Sequence, residues 1–107
     1  MDLKNKVVLI TGSSRGIGKA TALAFAKQGS KVILTYNTNK KEGEATLQEC
    51  KKHGEAQLVY FNILEEKSIH ALVKEVSKFY GKLDILINNA GVLPGWKKFN
   101  EQTFADL

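Results

Sequence analysis

The chain has 107 residues, room for one domain and not for two. Its 43% hydrophobic and 25% charged residues exclude a disordered chain, and apolar runs of at most five or six residues exclude a helix crossing a bilayer, which takes ~20. The net charge of +5 is spread from Lys4 to Lys98 in basic runs no longer than two, without aromatic interleaving, which argues against a nucleic-acid partner.

No apolar signal core follows the N-terminal charges, because Gly12 and Arg15 interrupt too soon. A cytoplasmic protein with no membrane partner is expected. The single cysteine, Cys50, has no partner for an internal disulfide. With no second Cys, and with His53 and His70 isolated, no metal site is expected.

Val7-Val8-Leu9-Ile10 is a short, mostly β-branched run ending in glycines and serines, the pattern of a buried strand and its turn. Residues 16–28 switch to Ala, Leu, Phe and Lys and predict a helix, with Ile17, Ala20 and Ala24 on one face and Gly29 as its stop. A second strand is predicted over 31–36. Asn39 can cap a helix reaching about His53, ended by Gly54. A third strand is predicted over 57–61. The strongest helical pattern covers 65–80, with Ile69, Leu72, Val73, Val76 and Tyr80 on one face and Gly81 as the stop. A fourth strand is predicted over 83–87.

Strands that are apolar on both faces, each followed by a helix, imply an α/β fold with a parallel sheet covered on both sides. Right-handed crossovers then make it a Rossmann-type, doubly wound sheet, here of about four strands in the order 3-2-1-4. Ligands of such sheets bind outside the strands' carboxyl ends, at the switch point between strands 1 and 4. Function is therefore expected just after Ile10, Tyr36, Phe61 and Ile87.

After the first strand comes Thr11-Gly12-Ser13-Ser14-Arg15-Gly16-Ile17-Gly18. Gly12 permits a tight turn, Gly16 lets backbone approach a ligand, and Gly18 lets a helix pack close to the sheet. The free N–H groups and positive dipole end of that helix suit a pyrophosphate. The spacing Thr-Gly-x-x-x-Gly-Ile-Gly resembles the signature of the short-chain dehydrogenase/reductase family. Asn88-Asn89-Ala90-Gly91, directly after the fourth strand, resembles a second signature of that family. The resemblance covers essentially the whole chain and is nearest in look to the 3-oxoacyl-acyl-carrier-protein reductases and their relatives.

The resemblance implies that Gly12, Ser13, Ser14, Arg15, Gly16, Ile17 and Gly18 wrap the pyrophosphate and adenosine ribose of a nicotinamide cofactor. It places Asn62 and Ile63 beside the adenine, although the family more often has Asp where Asn62 stands; the plainer reading of Asn62 is a turn residue. Asn89, with Ala90 and Gly91, is implied to lie near the cofactor ribose and to tie the fourth strand to its neighbours. An acid ending the second strand would select NAD. Here Thr35-Tyr36-Asn37-Thr38-Asn39-Lys40-Lys41 holds none, and the first acid is Glu42. With Arg15 able to reach the same place, and Asn37 among the hydrogen-bonding side chains there, NADP is expected over NAD. Taken alone, Lys40-Lys41 is a solvated helix start.

The family's Ser, Tyr and Lys, with an Asn on the helix after the fourth strand, perform the proton chemistry. No residue of this chain is assigned a catalytic role. Tyr36-Asn37-Thr38-Asn39-Lys40 has the Tyr-x-x-x-Lys spacing but lies at the adenosine end and straddles a strand end, so it is read as a decoy. The expected unit is one NAD(P)-binding domain over residues 1–107, ending before the catalytic half. Its expected partners are its small-molecule cofactor and either a second copy, as a homo-oligomer, or a complementary catalytic half, because the fourth strand has an apolar outer edge. Trp96 and Phe99 read as packing under a loop rather than as substrate contacts. The alternatives are a stand-alone, non-catalytic dinucleotide-binding module and a folded scaffold that binds nothing well.

Overall fold

The computed structural model describes residues 2–89. The elements alternate as β1 (Val7–Thr11), α1 (Gly16–Lys27), β2 (Lys31–Tyr36), α2 (Lys40–Lys51), β3 (Ala56–Tyr60), α3 (Glu66–Tyr80) and β4 (Ile85–Asn88). All pairings are parallel, in the order β3-β2-β1-β4. Leu9 of β1 stands opposite Ile33 of β2 and Leu86 of β4. The expected Rossmann-type sheet is present, with the order changing direction between β1 and β4.

Side-chain alternation splits the core in two. Val7, Leu9 and Ile33 point to one face and pack with Phe61 and with Ile69, Leu72 and Val76 of α3. Val8, Ile10, Val32 and Leu34 point to the other, against Ala22 and Ala26 of α1 and Cys50 of α2. All seven of these β1 and β2 residues are fully buried, as strands covered on both sides must be. Burial pushes the Cys50 thiol up to about 11, with Glu49 adding to the shift, so it stays protonated and packs as a small apolar group.

One face was misplaced by the sequence pattern. Ile17, Ala20 and Ala24 are exposed, and α1 instead turns Gly18, Ala22 and Ala26 to the sheet. These are small residues four apart, and a stripe without bulk brings the helix axis closer to the strands than a larger residue would allow. Leu23 and Phe25 flank the stripe, half-buried. The stop assigned to Gly54 is also corrected. The last helical residue of α2 is Lys51, capped by Lys52, and Gly54 has no left-handed backbone. Gly81 does close α3 in that conformation, at φ 70°, with its N–H donating to the Ser77 carbonyl. Strand β3 starts and ends one residue earlier than the pattern predicted, and β4 begins two residues later, at Ile85.

Asp84 fastens β4 to the start of β1. Its carboxylate accepts the Val7 N–H at 2.8 Å, and its own N–H donates to the Val7 carbonyl at 3.0 Å. The Val7 bond holds this carboxyl below its ordinary value, and Lys82 at 3.2 Å and Lys6 act in the same direction. A carboxyl depressed on folding contributes stability that is present above its unfolded value, about 3.9, and is lost as pH falls through the lower folded value. Asp84→Asn is therefore expected to cost about 0.5–1 kcal/mol at neutral pH. The gap between variant and parent should close in acid, once the folded carboxyl is protonated. Urea midpoints measured at both pH values check this; a gap that persists in acid would mean the ionised carboxylate is not its source.

Among the described residues no helix is long and apolar enough to cross a membrane, and no group of three His, Cys, Asp or Glu side chains could hold a metal ion.

Candidate functional site

At the carboxyl end of the sheet a cleft of about 500 Å³ opens beside the glycine turn. That volume is in the range that takes a small-molecule ligand. Its wall is built from three consecutive strand ends. Gly12, Ser14, Arg15 and Gly16 follow β1; Thr35 to Asn39 end β2 and lead into α2; Phe61 and Ile63 follow β3. Of the expected cofactor residues, Gly12, Ser14, Arg15, Gly16, Asn37 and Ile63 thus come together on one cleft.

The turn is held by hydroxyls that the pattern of apolar residues did not single out. Gly12 N–H donates to Thr35 Oγ1 at 3.0 Å. Ser13 Oγ donates to the Ile10 carbonyl at 2.9 Å and accepts the Thr35 N–H, also at 2.9 Å. Ser13 is fully buried, so its side chain pins the turn to β2 rather than facing the cleft. On the other side, Thr11 Oγ1 donates to Asn88 Oδ1 at 3.2 Å and accepts the Asn89 N–H at 3.0 Å. Asn89 Nδ2 donates to the Gly12 carbonyl at 3.2 Å. Asn89 therefore ties β4 to the glycine turn, as the resemblance implied. Ala90 and Gly91 lie outside the described residues, as do Trp96 and Phe99.

A further hydroxyl comes from α2. The buried Thr46 shares its proton between the Ser14 carbonyl, at 3.0 Å, and the Glu42 carbonyl, at 3.1 Å. It bolts the first turn of α2 to the glycine turn. The available signal for Thr11 and Thr35 was a break in an apolar run. Thr11 and Thr35 sit at equivalent places on β1 and β2, where the strand residues stop being aliphatic, and Thr46 lies on the face of α2 that also carries Gly43 and Cys50.

The glycines divide their roles. Gly12 and Gly16 have φ of 62° and 64°, the left-handed region. A Cβ on Gly16 would meet nothing within 4 Å, so open space stands before the first turn of α1. A Cβ on Gly18 would collide with the Gly12 carbonyl oxygen and lie 2.7 Å from Asn89 Nδ2. Gly18 is thus a packing residue beneath the site. Ile17 is 77% exposed and does not line the cleft.

Electrostatically the cleft suits an anion. Arg15 stands at the N-terminus of α1, whose first turn has no side-chain cap and no acid. Among the described residues no acid lines the cleft. The nearest acid described at Arg15 is Glu42, whose carboxylate is 4.0 Å from its Nε, an ion pair between two well-exposed side chains. An open space in front of uncapped helical N–H groups, with a guanidinium beside it, fits a dinucleotide's phosphates.

At the far end, Asn62 is engaged locally. Its Oδ1 accepts the Leu64 N–H and its Nδ2 donates to Glu65 Oε2, both at 3.0 Å, while its own N–H donates to Ser68 Oγ at 2.7 Å. Its side chain shapes the turn into α3, and Oδ1 keeps a second lone pair. Tyr36 and Lys40 fall at the end of β2 and the start of α2. Tyr36 instead packs edge-on against Tyr60, with ring centres 5.7 Å apart.

Residues 6–107 match the family model for short chain dehydrogenases. The chain is 39% identical over 88 residues to the 3-oxoacyl-[acyl-carrier-protein] reductase FabG of Staphylococcus aureus, covering 81% of this chain and 36% of that protein. It is 40% identical over 89 residues to the 7alpha-hydroxysteroid dehydrogenase of Clostridium sardiniense, covering 83% of this chain and 34% of that one. A solved structure of a short-chain dehydrogenase/reductase mutant from Serratia marcescens superposes with a TM-score of 0.79 at 32% identity, over 87% of this chain and 38% of that one. The chain spans about a third of the length of the curated relatives it matches. With its sheet order, its glycine turn and these likenesses, the chain belongs to the short-chain dehydrogenase family of oxidoreductases, as the N-terminal, Rossmann-type portion of such a protein.

Proposed function

We propose that this chain is the NADP(H)-binding portion of an oxidoreductase that transfers hydride between a nicotinamide and a carbonyl or alcohol substrate. The observation that carries the reading is the cleft beside the glycine turn. It has open, uncapped helical N–H groups, Arg15 at its edge and, among the described residues, no acid in its wall. The backbone of Gly12, Ser14, Arg15 and Gly16 would hold the pyrophosphate. The Arg15 guanidinium and the Asn37 amide would take a ribose 2′-phosphate. Phe61 and Ile63 offer the adenine an apolar wall, with Asn62 at its edge. Asn89 would stand near the cofactor ribose. The bound cofactor would supply the hydride. The proton at the substrate oxygen would come from residues of a complementary catalytic half, because no described residue of the cleft is a general acid placed for it.

Titration of the purified chain with NADPH and NADH, followed by nicotinamide fluorescence and calorimetry, tests this. Micromolar NADPH binding is expected, with NADH at least about tenfold weaker through loss of the charge-assisted bonds to one phosphate. Equal affinities would remove the NADP assignment. Binding of neither by a folded chain would mean that the cleft needs more protein than these residues to work.

A further inference from the structure

Glu42 is the one acid described beside Arg15, and its backbone is anchored to the glycine turn through Thr46. Its carboxylate is 4.0 Å from Arg15 Nε. Its carbonyl shares the Thr46 hydroxyl proton with the Ser14 carbonyl, so the first turn of α2 cannot drift from the glycine turn without breaking a buried bond. Its neighbours along the chain, Asn37 to Asn39, line the cleft, whereas Glu42 itself stands just outside it. Resting on the cofactor reading above, we infer that Glu42 is a specificity-determining residue that restrains the preference for a 2′-phosphate.

The physical reason is competition for one guanidinium. An exposed pair at this separation is weak, so Arg15 is free to leave it for a phosphate. A nearly dianionic phosphate taken by that guanidinium would then stand near the carboxylate it displaced, inside the screening length of ordinary buffer. Lys40 and Lys41, exposed on the same turn, offset part of this field without removing it. Glu42 therefore penalises a cofactor carrying the 2′-phosphate and leaves one with a free 2′-hydroxyl nearly untouched. The site is tuned to release a phosphorylated cofactor more readily than Arg15 alone would allow.

The test is calorimetric titration of the chain and of Glu42→Gln with adenosine 2′,5′-bisphosphate and with adenosine 5′-phosphate. The substitution is nearly isosteric on an exposed side chain and keeps the Thr46 bond to the backbone. Expected is a gain on the order of fivefold in affinity for the bisphosphate, a change under about twofold for the monophosphate, and shrinkage of the gain at high salt. If the parent chain prefers the bisphosphate but Glu42→Gln leaves the ratio unchanged or lowers it, the role given to Glu42 is overturned and the cofactor reading stands. If the parent chain shows no preference for the bisphosphate, both are overturned.

Discussion

Gly18→Ala is expected to abolish measurable dinucleotide binding and to destabilise the fold by about 2–3 kcal/mol, at the upper end of the cost of overpacking a close-packed contact. The added methyl would overlap the Gly12 carbonyl oxygen and lie 2.9 Å from the Gly12 carbonyl carbon. Asn89 Nδ2, at 2.7 Å, belongs to a side chain that can swing away; the Gly12 oxygen belongs to backbone fixed by Thr35. Relief requires α1 to retreat from the end of β1, which takes the helical N–H groups out of the cleft. Gly16→Ala provides the contrast. It meets no atom within 4 Å and pays only for a left-handed backbone at φ 64°, about 1–2 kcal/mol. Urea denaturation and NADPH titration of the two variants check the order. A Gly18→Ala chain that is as stable as the parent and binds as well would show that helix and turn do not approach this closely.

Leu72→Ala is expected to cost about 3 kcal/mol, within the range for emptying a buried leucine site. Leu72 is fully buried against Val7, Leu9, Ile33 and Phe61, and α3 is the helix that covers this face among the described residues. A loss of that size is a large part of the stability of a domain this small. The effect should also reach the site. Phe61 is a member of the same cluster, Ile63 packs against it, and both line the cleft. Nucleotide affinity should fall several-fold even where the variant remains folded. The denaturation midpoint and the affinity are read on the same preparation. A stability loss below about 1 kcal/mol would mean that α3 is not seated on Leu72.

Much of the fold was legible because its elements announce themselves locally. The runs at Val7 to Ile10 and Val32 to Leu34 are aliphatic on both faces, and a parallel strand buried on both faces is what such a run makes. The α3 pattern was read correctly since its large apolar residues fall on one stripe. The α1 face was misread for the complementary reason. Alanines occur all round that helix, and Ile17, its bulkiest residue near the start, lies exposed beside the turn while Gly18, Ala22 and Ala26 meet the sheet. Small residues carry too little hydrophobic signal to reveal a face whose purpose is close approach.

The glycine turn, the strand order and the end of the sheet that carries the cleft were all determined by sequence alone, through spacing, periodicity and the handedness of crossovers. The network that holds the turn was decided only by tertiary structure. Ser13 pairs with Thr35, Thr46 with Ser14, Arg15 with Glu42 and Asn89 with Gly12. These partners are separated along the chain by between 22 and 77 residues, or in the case of Arg15 and Glu42 lie on different elements. A hydrogen bond depends on ångström-scale geometry that local pattern does not encode. Pairing of the strands has to bring those side chains together before their roles can be read.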